Sequence, residues 1–183
     1  MENYFDLVQE VLVRGTRKEN RTGVDTISAF NINYSIDLNE GFPLLTTKEI
    51  SWKNIVVENL WFLSGDLHIG LLKKHGCKFW DHWADEEGYV PSAYGNFWRK
   101  FPIHGEQKYN DQVRYVLDTL KKNPNSRRMV ITAWAPGNAR TSGLPPCHLM
   151  FIFNVQYDKN NEPRLCVHLT QRSCDVALGV PYN

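Results

Sequence analysis

Sulfur is sparse in this sequence, and it is scattered. The four cysteines, Cys77, Cys147, Cys166 and Cys174, form no CxxC pair and no Cys/His zinc spacing. That argues against a disulfide framework or a metal centre and for reduced thiols. Charge of one sign is missing as well. Lys and Arg number 21 against 20 Asp and Glu, a net charge of +1, so there is no general basic field for nucleic acid or a membrane surface. Any anion site has to be local. No apolar run approaches membrane-spanning length, and Met1, Glu2 and Asn3 lead into no apolar signal segment. The protein is therefore expected to be cytoplasmic and not membrane-bound. Repeats, linkers and low-complexity tracts are absent, and 183 residues that are 42% hydrophobic are expected to form one domain, 1–183.

What is present begins with an amphipathic helix, Glu2–Arg14, whose Phe5, Val8, Val11 and Leu12 share a face before Gly15 stops it. Phe30, Ile32, Tyr34, Ile36 and Leu38 alternate with polar or small residues, which predicts a half-buried strand. A second helix is predicted over 51–64, ending at Gly65. A third covers 111–122, with Val113, Val116, Leu117 and Leu120 inward. Strands are predicted over 129–134, from Cys147 to Tyr157, and over 165–170.

Chemistry stands out at a few places. Pro145 and Pro146 stiffen the chain just ahead of Cys147, and an apolar strand follows, so the thiol sits on a rigid edge of the kind a nucleophile needs. A small buried cysteine capping a strand is the plain alternative. Glu58 falls within the apolar stripe of Ile55 and Phe62, where desolvation raises a carboxyl pKa; it is either a tuned acid or base or half of a buried ion pair. Phe79, Trp80 and Trp83 crowd three rings into five residues, a core corner or a stacking surface for a flat heterocycle. Tyr94 offers a phenol beside Gly95, at the close of a long polar loop. Arg21 lies in a turn before Gly23, and Arg127 with Arg128 heads a strand, where adjacent side chains point to opposite faces unless the backbone is irregular.

These residues, taken in order along essentially the whole chain, resemble the thymidylate synthase family. The resemblance is carried by Arg21-Thr22-Gly23; Phe42-Pro43 and Thr46-Thr47-Lys48; Glu58 before Leu60-Trp61-Phe62-Leu63; Trp80, Asp81 and Trp83; Tyr94-Gly95 with Trp98-Arg99; Ser126-Arg127-Arg128; Pro146-Cys147-His148; and Gln171 to Asp175 up to Asn183. It implies an α+β fold with a large mixed β-sheet flanked by helices, the sheet packed against that of a second subunit in a homodimer. It also implies reductive methylation of deoxyuridylate at C5, with 5,10-methylenetetrahydrofolate as donor of carbon and hydride and no metal.

Site roles follow from the same resemblance. Cys147 is the thiolate that adds to C6, beside Arg172. Glu58 and Tyr94 serve the proton movements. Arg21, Arg172 and Ser173 hold the phosphate, joined by Arg127 and Arg128 of the partner subunit. Asn183 reads the uracil edge, with His148 and Gln171 also at the base. Trp80, Asp175 and Gly179 match folate contacts.

Two departures matter. Where the family usually has a Gln shortly after Tyr94-Gly95, this chain has Asn96 and Phe97. Easier entry of water there would favour hydroxymethylation of deoxyuridylate, as in related phage enzymes. A non-catalytic nucleotide or RNA binder built on the fold is a third reading. Family sequences also run on past the position of Asn183, so the chain is expected to be the front part of a longer or split enzyme, with a separate chain as one source of the C-terminal segment.

Overall fold

A computed structural model describes residues 2–20, 22–140 and 142–182. The chain divides into two units, Met1–Ile50 with Asp175–Asn183, and Ser51–Cys174.

The first unit opens with helix α1, Glu2–Arg14, as the periodicity predicts. Its most buried residue is Leu7, at 6% exposure, while Phe5 and Leu12 are open at 52% and 61%, so the buried face is turned from the predicted one. Strands β1, Thr16–Lys18, and β2, Thr26–Ser28, form an antiparallel hairpin. The strand predicted through Phe30 and Leu38 does not form. Asn31 at φ 57° breaks the extended run, no partner strand is paired to it among the described residues, and Phe30 is 92% exposed. Asp37 instead caps a single 3-10 turn, Leu38–Glu40, by accepting from the Asn39 amide. In the closing segment of this unit, the Tyr4 hydroxyl donates to the Val176 carbonyl and Lys48 Nζ to that of Ala177.

The second unit holds the core. Helix α2, Trp52–Ser64, ends where Gly65 takes the left-handed conformation at φ 73° and returns its amide to the Phe62 carbonyl. A short helix α3, Gly70–Lys74, precedes helix α4, Tyr94–Lys100, and helix α5, Gln112–Lys122. Val116 is the buried residue of the expected α5 face, whereas Leu117 is 49% exposed. The α2 and α4 backbones come very close. A Cβ on Gly95 would stand 2.6 Å from the Phe62 carbonyl oxygen and 3.1 Å from Gly65 Cα. Gly95 therefore serves close approach inside a helix, which begins at Tyr94 where the expected polar loop ends.

The Phe62 ring is the hub of that contact. It meets Trp80, Tyr94 and Trp98 edge-on at centroid distances of 5.7, 5.0 and 5.7 Å, the arrangement aromatic quadrupoles prefer. Strand β3, Phe101–Pro102, pairs with β4, Tyr109–Asn110. Strand β5, Val130–Thr132, pairs with β6, His148–Tyr157, and β6 with β7, Pro163–Gln171. This three-stranded sheet is antiparallel throughout, so the large mixed sheet of the sequence expectation is not formed by the described residues.

Two loops between α2 and α4 are held by one imidazole. His68 Nδ1 accepts from the Gly70 amide at 3.0 Å, which leaves Nε2 to donate to the Glu87 carbonyl at 3.1 Å. Trp61 Nε1 donates to the His68 carbonyl, tying the same loop to α2.

Candidate active site

Cys147 ends the loop that leads into β6, and two residues, Tyr94 and Arg172, fix its backbone. The Cys147 amide donates to Tyr94 Oη of α4 at 2.9 Å, and the His148 amide donates to the same oxygen at 3.3 Å. The Cys147 carbonyl accepts from the Arg172 amide at 3.0 Å, just beyond β7. The Arg172 side chain then reaches back, Nε to the Pro146 carbonyl at 2.8 Å and Nη2 to the Pro145 carbonyl at 2.7 Å, with its guanidinium 6.0 Å from the Trp134 ring centre. The rigid edge inferred from two prolines is thus a clamped loop. Of the five guanidinium N–H groups, these two bonds engage two, leaving the others for an anion.

Tyr94 is buried, and burial pushes its phenol up from its ordinary value; the His148 and Cys147 amides and the Arg172 charge act against that rise. Its ring lies 5.0 Å from that of His148. The phenol is therefore held as a neutral group whose lone pairs face two amides.

Glu58 points from α2 toward Trp80, whose indole N–H donates to Oε1 at 2.6 Å. Burial raises the Glu58 carboxyl above its ordinary value, and the indole bond partly opposes this. Among the described residues no cation pairs with Glu58; a neutral donor is its partner. Trp80 itself is 7% exposed and lies 6.3 Å from the Tyr94 ring. Phe79 beside it is 41% exposed. Glu58, Trp80, Tyr94, Cys147 and Arg172 form one contiguous chain of contacts.

Arg127 and Arg128 are exposed and precede β5 in irregular backbone, where the Arg128 amide donates to Ser126 Oγ at 3.2 Å, so they are not bound by strand alternation. Gln171 pairs opposite His148 at the ends of β7 and β6, and Ser173 follows in exposed coil. Asp175 and Gly179 belong to the first unit, where Asp175 Oδ1 accepts from the Ala177 and Leu178 amides and its carbonyl from the Gly179 amide. Arg21 and Asn183 lie outside the described residues. Asn96 donates to the Pro91 carbonyl and Phe97 is 3% exposed, so the departure after Gly95 fills core. Sequence reading missed the Trp80–Glu58 bond, because nothing in a spacing of 22 residues announces it. No group of three or more His, Cys, Asp or Glu able to hold a metal occurs among the described residues. No helix among them is long and apolar enough to cross a membrane.

A thiol on a clamped strand edge, with a buried phenol on its amide and a desolvated carboxylate two rings away, is an arrangement with the groups that covalent nucleophilic catalysis with proton transfer requires. The family model described as Thymidylate synthase matches residues 2–183. A Haloferax volcanii protein named Thymidylate synthase is 52% identical over 199 residues, covering 98% of this chain. The chain belongs to the thymidylate synthase family. It spans 56% of the length of that relative.

Proposed function

We propose that this chain carries the nucleophile-bearing part of an enzyme that methylates deoxyuridylate to thymidylate. The observation that supports it best is the Tyr94 oxygen receiving the amides of Cys147 and His148, which fixes the thiol against α4. The Cys147 thiolate adds to C6 of the pyrimidine, forming a C–S bond and moving the electron pair to make C5 nucleophilic. Methylenetetrahydrofolate supplies the one-carbon unit and the hydride. Glu58, desolvated and held by Trp80, has the raised affinity for a proton that a shuttle near neutral pH needs. Tyr94 keeps its own proton for the C5 side of the ring.

The phosphate is bound by Arg21, Ser173 and the remaining N–H groups of Arg172. Arg127 and Arg128 act on the phosphate of the partner subunit in a homodimer whose sheets pack face to face. Asn183 reads O4 and N3 of uracil through its amide, and His148 and Gln171 also serve the base. Trp80, Asp175 and Gly179 hold the folate. The protein is cytoplasmic and needs no metal. The name of the Haloferax relative supports methylation; neither hydroxymethylation nor a non-catalytic binder is favoured by an observation.

The test is covalent trapping. The protein incubated with 5-fluorodeoxyuridylate and methylenetetrahydrofolate is expected to give a ternary adduct, seen as a mass increase on the Cys147 peptide. An unmodified Cys147 in the folded protein would overturn the proposal.

A further inference from the structure

Gln112 is buried at 5% exposure, the one amide or charged side chain so placed among the described residues. It sits at the first position of α5, and all its amide atoms are used. Nε2 donates to the Phe97 carbonyl of α4 and to the Thr132 carbonyl of β5, both at 2.8 Å, and Oε1 accepts from the Thr132 amide at 3.0 Å. β5 is an edge strand whose outer groups would otherwise lack a ladder. Gln112 meets both groups of one residue, as a neighbouring strand would. Its second N–H takes a carbonyl from the last turn of α4, where no intrahelical donor is left.

Those bonds lie between the two halves of the Cys147 environment. Phe97 is one helical turn from Tyr94. Thr132 Oγ1 and the Ala133 amide donate to the Leu149 carbonyl at 3.2 and 2.9 Å, and Leu149 follows Cys147 by two residues. A closed circuit therefore runs from Tyr94 through Phe97, Gln112, Thr132 and Leu149 to Cys147, shut by the Cys147 amide on Tyr94 Oη. Beside it, Asp111 caps α5 on the Arg114 amide and binds Arg99 of α4, so the helix start is fixed from two sides.

We infer that Gln112 is a positioning residue, setting α4 against the β5–β6 pair so that Tyr94 meets the Cys147 amide; for catalysis this rests on the function proposed above. Its effect passes through Tyr94, which gives it a signature that general stabilisation lacks. Once Tyr94 has lost its oxygen, loss of Gln112 should cost nothing more at Cys147.

The experiment is a double-mutant cycle of Gln112→Met and Tyr94→Phe in the full chain, well below each variant's melting temperature. Two rates are read: kcat for deoxyuridylate methylation, and alkylation of Cys147 by iodoacetamide followed on its peptide by mass spectrometry. Gln112→Met should lower kcat about 10- to 100-fold with KM little changed, the scale of a misplacement near 1 Å. In the Tyr94→Phe background it should change neither rate further. Losses that multiply, or a Gln112→Met protein with both rates of the wild type, overturn the inference. If the wild type does not methylate deoxyuridylate but the alkylation cycle is non-additive, the proposed reaction fails and the positioning role stands. Should the Met variant not fold, Gln112→Glu at acid pH, where the protonated carboxyl offers one donor and one acceptor, takes its place in the cycle with the same outcomes.

Discussion

Trp80 donates its indole N–H to Glu58 at 2.6 Å, so the desolvated carboxylate of α2 is steadied by a neutral donor and, among the described residues, by no cation. Burial leaves the proton more tightly held in the folded chain than in the unfolded one. The folded state then binds more protons, and Glu58 costs stability as pH rises from its ordinary value through its raised one. Glu58→Gln is expected to raise the melting temperature at pH 8 by more than at pH 5. An equal gain at both values would remove the burial argument. Trp80→Phe should move the Glu58-dependent limb of the activity profile to higher pH, since the lost donor stabilised the ionised form.

Cys147→Ser is expected to lower turnover by more than about 10³-fold, the scale on which removal of a nucleophile acts, while deoxyuridylate still binds. Isothermal titration and steady-state assays separate the two effects. Substantial turnover by the serine protein would refute the assignment of the thiol.

Asp111 joins α4 to α5 by a two-oxygen contact with Arg99 Nε and a cap on the Arg114 amide. Burial pushes its carboxyl up, but the Arg99 hydrogen bond, the Arg114 amide and both charges hold it below its ordinary value. The stability it adds is present above the ordinary carboxylate pKa and is lost as pH falls through the lowered one. Asp111→Ala should cost about 1–2 kcal/mol at neutral pH, mostly the cap, because the ion pair is partly solvent-screened. Urea denaturation should show the difference shrinking in acid.

Gly95→Ala places a methyl group 2.6 Å from the Phe62 carbonyl oxygen. Helix propensity alone predicts a gain, but backbone cannot yield as a flexible side chain does, so a loss of about 1–3 kcal/mol is expected. A raised denaturation midpoint would show that α2 and α4 separate freely.

What could be read from sequence was local. Periodicity marked α1, α2 and α5, and two prolines before a thiol marked the stiff edge at Cys147. It failed where the outcome depends on a neighbour far along the chain. Phe30 to Leu38 alternates like a strand, yet alternation forms no strand without a partner, and Asn31 turns the backbone away. Gly95 stood out only as the neighbour of a phenol, because its constraint, the Phe62 carbonyl, lies a helix away. Arg172 read as a charge for sulfur and phosphate, and its bonds to the Pro145 and Pro146 carbonyls were invisible. Gln112, one polar residue at the head of an amphipathic helix, carried no signal; the edge of β5 explains why an amide is buried there.

The His68 ring touches the space above two glycines at once. A Cβ on Gly70 would stand 2.9 Å from Nδ1, and one on Gly88 2.9 Å from Nε2. One nitrogen takes an amide and the other a carbonyl, so the ring is wedged on both edges as well as bonded. The three positions are therefore not independent for protein engineering. A library that varies residue 70 or 88 while keeping His68 will return mostly glycine. Trimming the histidine first opens room at residue 70, while Gly88, at φ 91°, still disfavours any side chain.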